Sequence, residues 1–151
     1  MATAFVTMNF DGLKELMEQV NRLANEQEIL QLEKRIVTKN RDIALEHMKP
    51  KVARSTDNQK SGKKGYRPPG HAADNIPVSG IRTSGGAPTA VVGWEKSDNS
   101  AFFYMKFVEW GTYKMAPRDF VYSTIEECRE AFNANTESKM QNFLNSTLGS
   151  D

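Results

Sequence analysis

The chain has 151 residues, 20 of them Lys or Arg and 19 Asp or Glu, for a formal net charge of +1. Apolar residues make up 38%, against ~45–50% in an ordinary globular domain, so one domain is expected with part of the chain outside its core. No run of about 18 apolar residues exists, which excludes a transmembrane helix, and Met1–Phe10 lacks the basic residues of a secretory signal.

Cys128 is the only cysteine, so no internal disulfide can form, as suits a reducing compartment. Structural zinc needs about four close Cys or His ligands, whereas Cys128, His47 and His71 stand far apart. Cys128 falls on the apolar stripe of a predicted helix, where a buried, inert thiol is expected. Neither a G-x-x-x-x-G-K-[ST] phosphate loop nor a G-x-S-x-G elbow occurs. The expectation is a non-enzyme with no catalytic residue, no metal and no cofactor.

The small net charge hides an uneven distribution. Residues 1–48 carry −2, 49–67 carry +6, 68–118 carry +1 and 119–151 carry −4. One short stretch thus holds the positive field, and the C-terminal end is acidic.

In chain order, Asp11 is a good N-cap, because its carboxylate can accept orphan backbone N–H bonds. Leu13, Leu16, Met17, Val20, Leu23 and Ala24 then form one helical face. Asn25-Glu26-Gln27 interrupts it. A second stripe runs through Ile29, Leu32, Ile36, Val37, Ile43, Ala44 and Met48. Asn40 and His47 share this face, so His47 reads as a core-edge histidine with a hydrogen-bond partner. Pro50 marks the helix end, since the residue before proline disfavours the helical region.

Residues 49–75 interleave Lys60, Lys63, Lys64 and Arg67 with Gly62, Gly65, Pro68, Pro69 and Gly70, and their only large apolar residues are Val52 and Tyr66. Such a stretch buries too little to offset its ordering entropy. It reads as a long mobile basic loop: either a solvated surface loop or a segment that orders against a partner or nucleic acid.

Ile76–Thr83 reads as a strand confined by Pro77 to an edge or a strand start, Ser84-Gly85-Gly86 as a turn, and Thr89–Trp94 as the returning strand of a hairpin. The stretch 101–120, AFFYMKFVEWGTYKMAPRDF, is the most distinctive. Tyr104, Phe107 and Val108 have helical spacing, and Gly111 is placed to end that helix at positive φ. Glu109 can accept N–H bonds from the loop that follows, a capping role. Met115-Ala116-Pro117 leads out in extended form, and Phe120 plugs the core. These residues serve packing, or their exposed aromatics form a subunit interface.

Ser123-x-x-Glu126 and Thr124-x-x-Glu127 fit the capping box that opens a helix. Ile125, Cys128, Phe132, Met140 and Phe143 give its stripe, and residues 144–151 read as a frayed tail. The expected fold is α+β: N-terminal helices and a C-terminal helix packed on a small antiparallel sheet with an exposed edge.

The segment Tyr104-Met105-Lys106-Phe107-Val108-Glu109-Trp110-Gly111-Thr112 resembles the signature of a tail-component family of long-tailed bacteriophages, the tail-completion or head–tail joining proteins of the neck. Met115-Ala116-Pro117-Arg118-Asp119-Phe120 is similar to the segment after it, with Asp119 where the family usually has proline. Gly70-His71-Ala72-Ala73-Asp74-Asn75-Ile76 looks like the family's approach to its first strand, with alanine where leucine is commoner. Asp11-Gly12-Leu13-Lys14-Glu15-Leu16 is similar to the opening of its first helix. The likeness spans Asp11 to Phe132.

The resemblance implies a structural virion protein, assembled in the host cytoplasm, that works in a ring, commonly sixfold. Its partners would be copies of itself, a tail tube or tail terminator protein, and a head connector or head-closure protein. The basic residues Lys60, Lys63, Lys64 and Arg67 would face a partner or the DNA in the channel. Tail termination and head closure are neighbouring alternatives. A nucleic-acid-binding module using the basic loop is another, weakened by a single aromatic, Tyr66, in that loop. A small enzyme of unrecognised chemistry is the last.

Overall fold

The computed structural model describes residues 5–7, 25–54 and 70–148. The expected helix from Asp11 to Ala24 and the residues Lys60, Lys63, Lys64 and Arg67 lie outside the described residues. The elements are β1 (Phe5–Thr7), α1 (Glu26–Met48), a 3-10 turn (Ala72–Asp74), β2 (Arg82–Ser84), β3 (Ala87–Thr89), β4 (Val91–Gly93), α2 (Met105–Trp110) and α3 (Phe120–Leu148). The α+β class is as expected from the sequence.

The break in the apolar stripe at Asn25 is the start of α1. The Asn25 side chain accepts the Gln27 N–H at 3.0 Å, and Glu26 and Glu28 place negative charge in the first turn, where the helix dipole favours it. The apolar spacing buries Ile29, Leu32, Ile36, Val37, Ala44 and Met48. Pro50 follows the end of the helix, and the chain turns back so that the Val52 N–H donates to the Met48 carbonyl at 3.2 Å.

That turn corrects the reading of residues 49–75 as one loop. Val52 is 2% exposed and lies in the core, a burial that stabilises by roughly 1.5–3 kcal/mol. At the far end Ala72 and Ala73 are buried too. The Arg54 guanidinium grips the Asp74 carboxylate with two hydrogen bonds, at 2.9 and 2.5 Å. Both flanks of residues 55–69 are thus anchored, and to each other.

The expected hairpin is present, with Ser84 and Ala87 already paired in the strands so that Gly85-Gly86 alone forms the turn. Arg82 pairs with Thr89 and Ser84 with Ala87, while Val78 pairs with Val92. One more residue lies between Val78 and Arg82 than between Thr89 and Val92, so the first strand carries a bulge at Gly80–Ile81. The Ser79 hydroxyl accepts the Val91 N–H at 2.8 Å beside the bulge, and the Arg41 side chain of α1 donates to the Ser79 carbonyl at 3.3 Å. Gly85 and Gly86 make the two-residue turn with φ of 66° and 88°, the positive values that such a turn requires.

β1 is the strand the pattern did not reveal. It pairs antiparallel with β4, Val6 opposite Val92, so β4 is flanked by β1 on one side and by Pro77–Ser79 on the other.

α1 and α3 run antiparallel. The C-terminal half of α1 packs with the start of α3 around Trp94, Val92, Phe102, Met105, Phe120 and Val121. The start of α1 meets the end of α3 through Ile29, Leu32, Ile36 and Met140, with Phe143 and Leu144 against them. Residues 144–148 therefore continue the helix instead of fraying. Between the two clusters the fully buried Asn40 accepts a hydrogen bond from the Asn135 amide at 2.8 Å. His47, expected at the core edge with a hydrogen-bond partner, is exposed instead, its Nδ1 3.6 Å from Glu127, which also pairs with Lys51.

Candidate functional site

The segment that carries the family resemblance folds as one locked unit. Lys106 of α2 donates to the carbonyls of Lys96 and Asp98, at 2.8 and 3.1 Å, and so fixes the loop that precedes the helix. Met105 and Glu109 are the buried residues of α2, and Tyr104 and Val108 are half-buried against the core. Phe107 points outward at 47% exposure. Its helical spacing with Tyr104 and Val108 is right, but the packed face is set by Met105 and Glu109. Phe107 meets the exposed Phe103 edge-to-face with centroids 6.5 Å apart.

Glu109 is 4% exposed. Its Oε2 accepts the Val121 N–H at 3.0 Å, and the amides of Phe120 and Tyr122 also favour its charge. Burial nonetheless raises its carboxyl pKa above the ordinary value, with Asp119 adding to the rise. The expected capping role is met further along than the loop: Glu109 serves the first turn of α3. This displaces the expected capping boxes. The helix begins at Phe120, so Ser123 and Thr124 lie inside it. The Thr124 hydroxyl is turned back onto the Phe120 carbonyl at 2.7 Å, and Ser123 accepts from Lys51 at 2.7 Å.

Gly111 ends α2 at φ 74°, ψ 177°, a region essentially reserved for glycine. A Cβ there would stand 2.6 Å from the Met115 carbonyl oxygen. The chain then makes a tight turn. Thr112 and Met115 exchange backbone hydrogen bonds of 2.8 and 3.1 Å, and the Lys114 N–H donates to the Thr112 hydroxyl at 3.2 Å. At the tip Tyr113 is 93% exposed, with the Lys114 ammonium 5.2 Å from its ring centroid. The chain returns through Pro117, and the N–H groups of Arg118 and Asp119 donate to the carbonyls of Val108 and Glu109 at 3.1 and 3.3 Å. Those are carbonyls a helix C-terminus would otherwise leave open. Asp119 takes φ 46°, and its carbonyl accepts the Ser123 N–H. Phe120 then plugs the core as expected, 2% exposed and edge-on to the buried Trp94 at 6.1 Å.

The conformation at position 119 explains why aspartate rather than proline stands there. Proline fixes φ near −65° and has no N–H. Position 119 needs positive φ and a donor, and aspartate is among the few residues that tolerate the left-handed region.

A groove of about 260 Å³ lies beside the root of the turn, lined among others by Arg54, Gly70, His71, Tyr104, Met115 and Arg118. Arg54 and Gly70 flank residues 55–69, so the structure brings the ends of the basic stretch next to the signature segment. Tyr113, Lys114 and the 64%-exposed Tyr122 were not singled out from the sequence. The only available signal was the Gly-Thr-Tyr-Lys turn chemistry after a helix.

The Cys128 side chain is fully buried, and that burial raises its pKa. Among the described residues no cluster of His, Cys, Asp and Glu has the arrangement of a metal site, and no helix is long and apolar enough to cross a membrane. Comparison with family models, curated proteins and solved structures finds no match for this chain.

Proposed function

We propose that the chain is a structural virion protein of a long-tailed bacteriophage, part of the neck, which joins or completes the tail at the head–tail interface as a ring. One observation carries the reading. The segment from Tyr104 to Phe120 is held rigidly by backbone hydrogen bonds, yet Thr112 to Asp119 are all exposed. An exposed stretch held in one shape suits a surface prepared for a partner, because a preformed surface loses less entropy on binding. Phe103, Phe107, Tyr113 and Tyr122 add exposed aromatic area around it, the side chains that dominate interface energetics. In this reading the basic residues Lys60, Lys63, Lys64 and Arg67 reach a neighbouring neck protein or the channel DNA.

Electron microscopy of lysates from phage lacking this gene tests the proposal. Filled heads beside separate tails of normal length are expected. Overlong tails would make the protein a length terminator. Intact infectious particles would overturn the neck assignment.

A further inference from the structure

We infer that the Tyr113–Lys114 tip is the contact by which one copy of this chain docks onto another, and that its seat is the outer face of α3 on the next copy. The inference rests on the ring reading above and names the two surfaces that meet.

The tip is basic and aromatic. Lys114 and Arg118 form no ion pair with another described residue, and no acidic residue occurs between Trp110 and Arg118. The outer face of α3 is its complement. Glu126, Glu130 and Glu137 share one side of the helix at i, i+4 and i+11, and all three are exposed. Glu126 is answered by Arg129 at 2.8 Å. Glu130 and Glu137 form no ion pair with a described residue. Ala134 lies between them, also exposed, and leaves room for a ring to lie against the helix.

A chain's own tip cannot reach this seat. Glu130 and Glu137 lie roughly 15 and 25 Å along α3 from Phe120 at about 1.5 Å per residue, while the turn projects two residues, roughly 7 Å, beyond Gly111. The tip is tied to the start of α3 by the Asp119 N–H on the Glu109 carbonyl. The two complementary surfaces therefore sit apart on one molecule. A contact between different patches of identical chains is head-to-tail, and it closes into a ring when the rotation permits. Tyr113 supplies a stiff aromatic anchor, while Lys114 and Arg118 supply register through charge.

Sedimentation velocity of the purified full chain at low salt tests this. The wild type is expected to self-associate with rising concentration, and added salt to weaken the association. Lys114→Glu with Arg118→Glu, and separately Glu130→Lys with Glu137→Lys, are each expected to weaken it by about tenfold or more, since each sets like charges together. An equimolar mixture of the two variants is expected to recover association, because every contact again joins opposite charges. Tyr113→Ala should weaken it without changing charge. All five side chains are exposed or half-buried, and circular dichroism verifies that each variant is folded. A wild type that stays monomeric at every concentration, variants that associate as it does, or a mixture that recovers nothing would each overturn the contact. The neck reading fails separately, on intact particles from the deletion phage.

Discussion

The Glu109 carboxylate of α2 accepts the Val121 N–H in the first turn of α3 at 3.0 Å. One short helix thus supplies the N-terminal cap of the next, and the turn between them is clamped from both sides. Glu109→Ala should cost about 2 kcal/mol, as for the loss of a strong cap, read from urea denaturation. Glu109→Gln keeps an acceptor and should cost less. The two proteins should also differ in pH dependence. Burial raises the folded-state pKa of Glu109, so its contribution is fully present below the unfolded value and is lost as pH rises through the folded one. Wild type should therefore gain on Glu109→Gln as pH falls through the carboxylate range. Asp74, held low by Arg54, and Glu127, held low by Lys51, act in the opposite sense, but they are common to both proteins and cancel in the difference.

Gly111→Ala tests the clamp at its other end. The substitution forces a Cβ into a glycine-only conformation and against the Met115 carbonyl. A loss of about 1–3 kcal/mol is expected from the backbone strain alone, measured by thermal or urea unfolding.

At position 119 proline should be the wrong residue. Asp119→Pro removes the N–H that bonds the Glu109 carbonyl and demands negative φ, where the chain has 46°. It should destabilise by more than about 1 kcal/mol. Asp119→Gly, free to adopt that φ, should unfold close to wild type in the same assay.

Between α1 and α3, Asn40→Asp keeps the oxygen that accepts from Asn135 and adds a charge where nothing is exposed. An unpaired buried carboxylate should cost about 3 kcal/mol at neutral pH. Burial raises its pKa, so stability should recover as the carboxyl is protonated. Urea midpoints at two pH values check this.

Periodic features were legible in the sequence. The α1 stripe, its end before Pro50, the glycine turn, the Gly111 stop and the buried Phe120 all follow from local spacing or from a single residue's backbone limits. What escaped depended on distant partners. β1 has three residues and makes sense only beside β4. Val52 looked like a stray apolar residue in a basic stretch until Met48 turned the chain back into the core. The capping boxes at Ser123 and Thr124 were locally sound, yet Glu109, eleven residues before Phe120, took that role and moved the helix start. In the candidate site the Gly111 stop and the burial of Phe120 were readable, whereas the exposure of Tyr113 required knowing which way the turn faces.

The mutual capping of α2 and α3 separates two properties that usually travel together. A six-residue helix is too short to persist alone, so α2, the turn and the start of α3 stand or open as one cooperative unit with the Trp94 core beneath them. The amide hydrogens of Arg118, Asp119 and Val121 should then exchange with deuterium at the slow rate of that core, because releasing any one of them requires the unit to open. A loop whose residues from Thr112 to Asp119 are all exposed would be bounded by some of the slowest-exchanging amides.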